Sequence, residues 1–273
     1  MVVLVVCFTK GLELFLFDRF CRRGEKMSYH GRDIEAVPIG TGQYLVAACD
    51  SCGAVGLKEL DLVRVPSYIT GRFTARVALL EVITVGSRPQ LATVAVANEP
   101  DPTGNAIFQG VYDELDAAGL AGLPLAVSTE KNFTTRETGL GISVIGICPQ
   151  AELRVATTLP GDFLYCLGIP KVGAEITGPA DPGIVQCRHI QRLLTVAAIH
   201  DLIPVGSRGI DGEAQQLAAV IGARWRPRPD PPVNLTKSGG PATCLIFSAA
   251  TARLEPIFAS PPCSLIGQFE PLS

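Results

Sequence analysis

The chain has 273 residues, 47% of them hydrophobic and 18% charged, and 23 Lys and Arg against 26 Asp and Glu give a net charge of −3. Intrinsic disorder is excluded, since it needs low hydrophobicity and high charge, and the lack of a basic excess argues against a nucleic-acid-binding protein. The length suits one large domain or two of roughly 100–150 residues.

The first 26 residues differ from the rest because they show neither turn residues nor a clear hydrophobic period. Their apolar run, Val2–Phe17, is interrupted by Lys10, Gly11 and Glu13, whereas a spanning helix needs about 20 apolar residues. Basic residues follow the run, while a signal peptide carries them in front. We expect a cytoplasmic protein in which residues 1–26 are an extension, or a mis-assigned start with Met27 as the natural one.

Strand and helix patterns alternate from residue 27 to about residue 148. Short apolar runs predict buried strands, and longer runs that begin near Pro or Ser and end at Gly predict helices. The predicted strands are Tyr44–Cys49, Gln90–Asn98 and Leu140–Ile147, and the predicted helices are Pro66–Val85 and Thr103–Ala118.

A second unit opens with a turn at Gly161 and Asp162, followed by a strand. We place the boundary near residues 149–156, which gives predicted domains of residues 27–150 and 151–273. In the second domain the expected helices are Asp181–Val196 and Gly212–Ile221, the expected loop is Arg224–Pro232, and the expected late strands are Ala242–Ala249 and a segment around Ile266.

Nine cysteines are scattered through apolar sequence, as at Cys148 and Cys166. This usage is typical of buried thiols in a reducing compartment. A C-x-x-C pattern joins Cys49 and Cys52, but a structural zinc site would need a second ligand pair at similar spacing. Two small residues at a strand end are therefore favoured over metal or redox chemistry.

Asp50 follows a predicted buried strand and precedes Gly53, Gly56 and Lys58. An acid at a strand end followed by glycines suits metal–phosphate chemistry, because the acid can hold Mg²⁺ and glycine lets backbone N–H groups approach phosphate oxygens. The simpler alternative is a turn with an Asp cap. The P-loop pattern is absent.

Two further acids lie in informative settings. Glu81 is inside an apolar helical segment, where a carboxylate costs free energy unless it is paired or bound to a metal; the alternative is a solvated helix face. Its spacing from Arg76 does not form an i, i+4 pair. Glu130 lies in a polar loop, and such loops either bind phosphate or metal or are exposed connections.

Together these segments resemble the ATP-binding superfamily of aminoimidazole ribonucleotide (AIR) synthase, thiamine monophosphate kinase, selenide water dikinase and the hydrogenase-maturation dehydratase, from about residue 28 onward. The segments that carry the resemblance are Cys49-Asp50 with Gly53, Gly56 and Lys58, Glu81 before Pro89, Ser128-Thr129-Glu130, and Gly161-Asp162. Within the superfamily the chain looks similar to the alpha-ribazole kinase-like branch, on segments Ala48–Gly53, Phe73–Ala78, Ser128–Phe133, Ile199–Ser207 and Lys237–Thr243.

The resemblance implies a PurM-like α/β (α+β) chain of two domains: an N-terminal sheet with helices that forms a barrel in a homodimer, and a C-terminal α/β domain. It implies an ATP- and Mg²⁺-dependent kinase of a small molecule, with alpha-ribazole as the expected acceptor and neither nucleic acid nor membrane as a partner. AIR synthase-like cyclisation and a non-catalytic dimeric nucleotide-binding protein are the alternatives.

The resemblance also implies roles for single residues. The implied metal ligands are Asp50, Glu81 and Glu130, the implied catalytic residues are Asp50 and Lys58, and the implied nucleotide contacts are Gly53, Gly56, Lys58, Ser128, Thr129 and Asn132. Loops Gly206–Gly209 and Lys237–Gly240 are weaker candidates for contacts to substrate phosphate or ribose, since Gly-rich loops are commonly just turns. His200 before Asp201 is a candidate general base, although a structural histidine is the more common case.

The chain departs from the thiamine monophosphate kinase pattern in three places. Residues Ile39–Gly42 stand where that family has Gly-Asp-Asp, so one or two metal ligands are missing unless Asp33 substitutes. The loop around Glu130 is altered, and Gly209–Gly212 only loosely matches the later Ser-Asp-Gly-Leu signature. These gaps argue against a thiamine monophosphate kinase and keep an inactive relative open.

Overall fold

The computed structural model describes residues 29–40, 42–255 and 257–272. Within them lie two five-stranded sheets and four α-helices, as the predicted α/β class requires. The strands are β1 (Glu35–Pro38), β2 (Gln43–Gly53), β3 (Val55–Gly56), β4 (Val63–Arg64), β5 (Arg88–Val96), β6 (Leu125–Thr129), β7 (Gly139–Pro149), β8 (Phe163–Gly168), β9 (Ile199–Pro204), β10 (Ala223–Pro227), β11 (Cys244–Ala249) and β12 (Cys263–Pro271). The helices are α1 (Ser67–Thr84), α2 (Asn105–Ala117), α3 (Cys187–Leu193) and α4 (Gly209–Val220).

The first sheet has the strand order β1-β2-β7-β5-β6 and is antiparallel except for the parallel pair β5–β6. Buried and half-buried residues alternate along β7, because successive side chains of a strand point to opposite faces. Helix α1 packs on the buried face, against β2, β5 and β7. The opposite face is not covered by any element of the described chain.

The second sheet has the order β10-β12-β8-β11-β9 and is antiparallel throughout. Its central strands β8 and β11 are almost entirely buried, since both faces are covered. One face of this sheet packs against α4. The buried residues of the other face belong to the same hydrophobic cluster as the core of the first sheet.

Helix α1 lies between the two sheets. It contacts the first sheet on one side and β9 and α3 on the other, and its buried residues run from Thr70 to Thr84 around the helix. A helix with apolar residues on every side is expected to be enclosed in this way, and the charged side chains of α1 find partners inside the fold or face the cavity described below. Helix α2 approaches closely because Gly71 and Gly110 lack side chains: a Cβ at either position would lie within 2.2 Å of a backbone oxygen of the other helix.

A buried ion-pair network ties α1 to its surroundings. Arg76 Nε lies 2.6 Å from Glu114 Oε1 of α2, and Arg72 Nε lies 2.8 Å from Glu114 Oε2. Arg76 also donates to the Pro179 carbonyl oxygen at 2.9 Å, in the second half of the chain. Removing Glu114 would leave the buried guanidinium group of Arg76 without a counter-charge, which is strongly destabilising.

Most predicted elements are present, but two predictions were wrong. The expected loop Arg224–Pro232 contains the edge strand β10, because an edge position tolerates arginine and proline. The expected helix Asp181–Val196 shrinks to α3, because Asp181 accepts hydrogen bonds from Lys171, Thr177 and Gly183 and fixes a loop instead.

The domain boundary near residue 150 stays a prediction, and residues 1–26 lie outside the described residues. Among the helices the structure describes, none is both long and apolar enough to cross a bilayer.

Candidate functional site

A cavity of about 640 Å³ lies between α1 and the turns of the second half of the chain. Ile69, Phe73, Val77 and Glu81 line it from one side of α1, because residues four apart share a helix face. Facing them are three turns from the second half, within residues 173–178, 204–207 and 240–242. Both halves of the chain therefore build the cavity.

Strand β2 brings Asp50 to the same cavity. Val46 and Ala48 are buried in the core, and Asp50 and Cys52 continue the same face of the strand at period two. The core ends at that point, so the Asp50 and Cys52 side chains line the cavity wall. Asp50 and Glu81 therefore line the same cavity from two elements that contact each other, β2 and α1.

The cavity is acidic. Asp33 lines it along with Asp50 and Glu81, and no Lys, Arg or His does so among the described residues. Asp33 is the acid that the sequence suggested as a substitute for the missing Gly-Asp-Asp. Burial raises the pKa of Asp50 to about 6, against the opposing hydrogen bond from the Ser51 backbone N–H. A bound cation would offset the lost hydration of this carboxylate.

The donor set fits Mg²⁺ that arrives on phosphate groups. In the part of the chain that the structure describes, no three His, Cys, Asp or Glu residues are arranged to hold a metal by themselves. Mg²⁺ is usually bound through one or two carboxylates, with phosphate oxygens and water completing its shell. Asp50 and Glu81 supply that number.

Backbone groups line the opposite wall. Gly206, Ser207 and Gly240 are at the cavity surface, and α4 begins at Gly209, directly after this turn. The N-terminus of a helix is the positive end of its dipole and suits phosphate oxygens, although at α4 the N–H groups of Gly209 and Asp211 already donate to the carbonyl oxygens of Gly206 and Leu235. Both Gly-rich loops singled out in the sequence reach the cavity through a glycine. The ammonium group of Lys237, in the second loop, instead pairs with Glu175 at 2.6 Å.

Lys58 lies elsewhere. Its ammonium group donates to Glu99 Oε1 and, at 2.8 Å, to the Thr135 carbonyl oxygen. Burial would raise the pKa of Glu99, but hydrogen bonds from Lys58 and Thr135 lower it to about 2. Lys58 is therefore engaged in an ion pair and does not line the cavity.

Gly53 and Gly56 flank the cavity residue Val55 without lining the cavity themselves. Gly56 is buried, and a Cβ there would lie 2.2 Å from Thr138 Oγ1 and 2.5 Å from Asp61 Oδ2. Asp61 accepts hydrogen bonds from Lys58 N and Thr138 N. Glycine at position 56 therefore makes room for this turn.

Glu130 lines a different depression, together with Ser128, Thr129 and Asn132. Glu130 Oε1 accepts the Asn132 backbone N–H at 2.6 Å, and this bond holds the pKa of the carboxyl below its usual range. Within one chain, the structure does not bring Glu130 into the cavity of Asp50 and Glu81.

His200 is also outside this cavity. Its Nδ1 atom lies 2.6 Å from Asp162 Oδ2, and Asp201 accepts hydrogen bonds from the backbone N–H and hydroxyl of Thr158. These contacts agree with the structural alternative for the His-Asp pair.

Sequence reasoning missed several cavity residues. Phe73 and Val77 are spaced four residues apart in line with Glu81, so helical spacing from Glu81 could have identified them. The turn at residues 173–178 carried no signal beyond its glycines, because its approach to α1 depends on the packing of the two halves.

Among the comparisons with known proteins, similarity is found only to solved structures. No family model matches the chain, and no curated protein matches it in sequence. AaThiL in complex with AMPPCP and TMP matches over 97% of this chain and 94% of its own, with a TM-score of 0.67 and 15% identity. A thiamine-monophosphate kinase from Stenotrophomonas maltophilia matches over 94% and 92%, with a TM-score of 0.63 and 15% identity.

PurL from T. maritima, complexed with ATP, matches 88% of this chain and 37% of its own, with a TM-score of 0.56 and 14% identity. The chain therefore has a PurM-like mixed α/β fold. That fold is the one that thiamine-monophosphate kinase and PurL share with it.

Proposed function

We propose that the chain is an ATP- and Mg²⁺-dependent kinase of a small molecule, acting in the cavity between its halves. The observation that carries the proposal is the meeting of Asp50 and Glu81 in a cavity that has Gly-rich turns and, among its described lining residues, no basic side chain. Support comes from the fold, which AaThiL displays in complex with AMPPCP. Since no described residue of the lining supplies a basic side chain, phosphates need divalent cations here.

Phosphoryl transfer depends mostly on positioning and charge neutralisation. Asp50 and Glu81 would hold Mg²⁺, which neutralises phosphate charge when bound, and Asp33 adds a third carboxylate to the lining of the cavity. The backbone of Gly206 and Ser207 binds phosphate oxygens. The apolar wall of α1 excludes water from the reacting groups.

The expected acceptor is alpha-ribazole, a nucleoside-like alcohol. A flat heterocycle suits the wall formed by Ile69, Phe73 and Val77, because aromatic and branched apolar side chains gain from covering such rings. This choice of acceptor rests on the sequence resemblance, and it is the first acceptor to test.

The test begins with binding. AMPPCP titrated calorimetrically into the protein is expected to bind in the presence of Mg²⁺ and to lose most of its affinity in EDTA. Asp50→Asn and Glu81→Gln are expected to weaken Mg²⁺-dependent binding at least tenfold, and the exposed Asp116→Asn and Glu59→Gln serve as matched controls. Equal affinity in all four variants would contradict the proposal.

Turnover then separates the reactions. ATP-dependent phosphorylation of alpha-ribazole, followed by mass spectrometry, supports the kinase. Cyclisation of formylglycinamidine ribonucleotide with release of ADP and phosphate would instead assign an AIR synthase-like activity. Mg²⁺-dependent nucleotide binding without turnover of either compound would indicate the non-catalytic nucleotide-binding alternative.

A further inference from the structure

A second cavity, of about 750 Å³, lies at the other end of α1. It is enclosed by the turn after α1 (residues 86–89), the segment 151–154, one side of α3 and the start of β9. His200 at the start of β9 lines this cavity, whereas Pro204 at the end of β9 lines the first one. The two cavities are therefore separate.

Most of the wall of this second cavity is apolar. The apolar lining residues are Ile83, Pro89, Leu120, Leu153, Leu194 and Ile199. Such a wall favours the hydrocarbon or ring portion of a ligand, because removing apolar surface from water is favourable.

Arg154 places a fixed positive charge in this wall. Its guanidinium donates to the Ile199 carbonyl oxygen at 2.5 Å and to the Leu194 carbonyl oxygen at 2.9 Å. Its backbone N–H donates to Val85 at 3.0 Å. No carboxylate pairs with Arg154 among the described residues, and a guanidinium has more N–H donors than these two bonds use.

His200 is held in place beside Arg154. Asp162, which is buried, accepts the Leu159 N–H at 2.8 Å through the same oxygen that lies 2.6 Å from His200 Nδ1. This carboxylate fixes the ring, so Nδ1 carries the proton. The other ring nitrogen, Nε2, has no partner within the described part of the chain.

The remaining charges nearly cancel. Arg88 and Glu152 form an exposed pair at the rim, with 3.3 Å between Nη2 and Oε2. Asp162 faces the His200 ring from behind. Of the charged side chains that line the cavity in the described chain, Arg154 is the one without a carboxylate partner, and a single guanidinium group matches a monoanion rather than a polyphosphate.

We propose that this second cavity binds a small organic monoanion with an apolar body, the anionic head at Arg154 and the body against the apolar wall. A carboxylate and a sulfonate share this chemistry. The site is distinct from the proposed kinase site and does not depend on it.

The test uses two probes with the same rings. 1-Anilinonaphthalene-8-sulfonate carries one negative charge, and N-phenyl-1-naphthylamine lacks the sulfonate. Fluorescence titration of the full chain is expected to show one saturable site for the sulfonate and at least tenfold weaker binding of the neutral amine. A charge-assisted hydrogen bond contributes about 1.5–3 kcal/mol, and about 1.4 kcal/mol corresponds to a factor of ten in affinity. Equal affinity for both probes would overturn the proposal without any variant.

Variants locate the site. Arg154→Gln is expected to weaken sulfonate binding about tenfold or more, Arg154→Lys less so, and the exposed Arg224→Gln on β10 not at all. Circular dichroism and thermal unfolding establish that each variant folds. Unchanged sulfonate affinity in a folded Arg154→Gln variant would refute the assignment.

Displacement identifies the natural head group. Octanoate and octane-1-sulfonate compete with the bound fluorescent probe, and octanol is the neutral control. Displacement by either anion supports the site and ranks the two head groups. Displacement by neither anion, or equally by octanol, would contradict it.

Discussion

Lys58 and Glu99 form an ion pair in which the ammonium group also donates to the Thr135 carbonyl oxygen, and both side chains are largely shielded from solvent. Glu99 in turn accepts hydrogen bonds from the backbone and hydroxyl of Thr135. The pair joins the turn after β3 to the segment between β5 and α2, and Thr135 ties both side chains to the segment that precedes β7.

We predict that Lys58→Met lowers the free energy of unfolding by about 2–3 kcal/mol, because a shielded carboxylate loses its counter-charge. The double variant with Glu99→Gln is expected to lose less than the sum of the two single changes. Urea unfolding of the four proteins measures this coupling. Strictly additive losses would show that the pair contributes nothing of its own.

The same variants address the role that the sequence resemblance implies for Lys58. If Lys58 contacts phosphates, Lys58→Met weakens Mg²⁺·AMPPCP binding much more than Glu99→Gln does. The ion pair in the structure predicts that both variants change nucleotide affinity by a similar factor.

Cys52 offers a direct probe of the first cavity. It lines the wall beside Asp50, while Cys49 lies on the opposite face of β2. We predict that Mg²⁺·AMPPCP slows alkylation of Cys52 by iodoacetamide at least fivefold and leaves the rate at Cys49 unchanged. Tandem mass spectrometry of the peptide that contains both cysteines gives the two rates, and equal rates at Cys52 with and without nucleotide would place the nucleotide elsewhere.

His189 predicts a pH dependence of stability. It is buried in α3 and accepts the Gln186 backbone N–H at Nδ1. Burial, followed by the nearby charges of Arg188 and Arg76, lowers its pKa to about 4. The unfolded chain, with a pKa of about 6.5, therefore binds more protons than the folded one between these values.

Stability should consequently fall as the pH drops from about 6.5 to about 4, with this residue contributing up to about 1.4 kcal/mol per pH unit. His189→Gln is expected to flatten the pH dependence over that window. Urea unfolding at half-unit pH steps measures it, with His30→Gln as the control because His30 is exposed. The same slope in wild type and His189→Gln would exclude this origin.

The uncovered face of the first sheet predicts a homodimer. Leu45, Leu91, Ile145 and Ile147 lie on it at neighbouring register positions, opposite the face that α1 covers. A second copy of the same face would bury this apolar patch, and patches of this kind mark interaction sites. We predict that Ile145→Glu converts a dimer into a monomer in light scattering coupled to size exclusion, whereas Leu159→Glu, at an exposed apolar position in the second half, does not.

The local sequence pattern was sufficient to predict most of the strands and helices. Strands β2, β5, β7 and β11 and helices α1 and α2 were recognisable because period and end signals agree in them. Strand β10 was missed because its proline and arginines resemble a loop. Its pairing with β12 depends on a strand that is distant in the sequence.

The site was only partly predictable. Asp50 and Glu81 stood out as acids in apolar settings, and both line the first cavity. The positions of Lys58 and Glu130 outside this cavity could not be predicted from the sequence. The ion-pair partner of Lys58 is Glu99, which lies in a segment with no motif. The roles that the resemblance implies for Lys58 and Glu130 stay predictions.

The enclosed position of α1 affects how genetic data on this protein should be read. Because α1 touches both sheets, α2 and α3, a substitution at almost any of its buried positions disturbs several packing interfaces at once. A screen for loss of function will therefore concentrate its hits in residues 67–84 whatever the chemistry. Only variants that retain normal unfolding, such as a folded Glu81→Gln, can separate a role in the cavity from a role in holding the two sheets together.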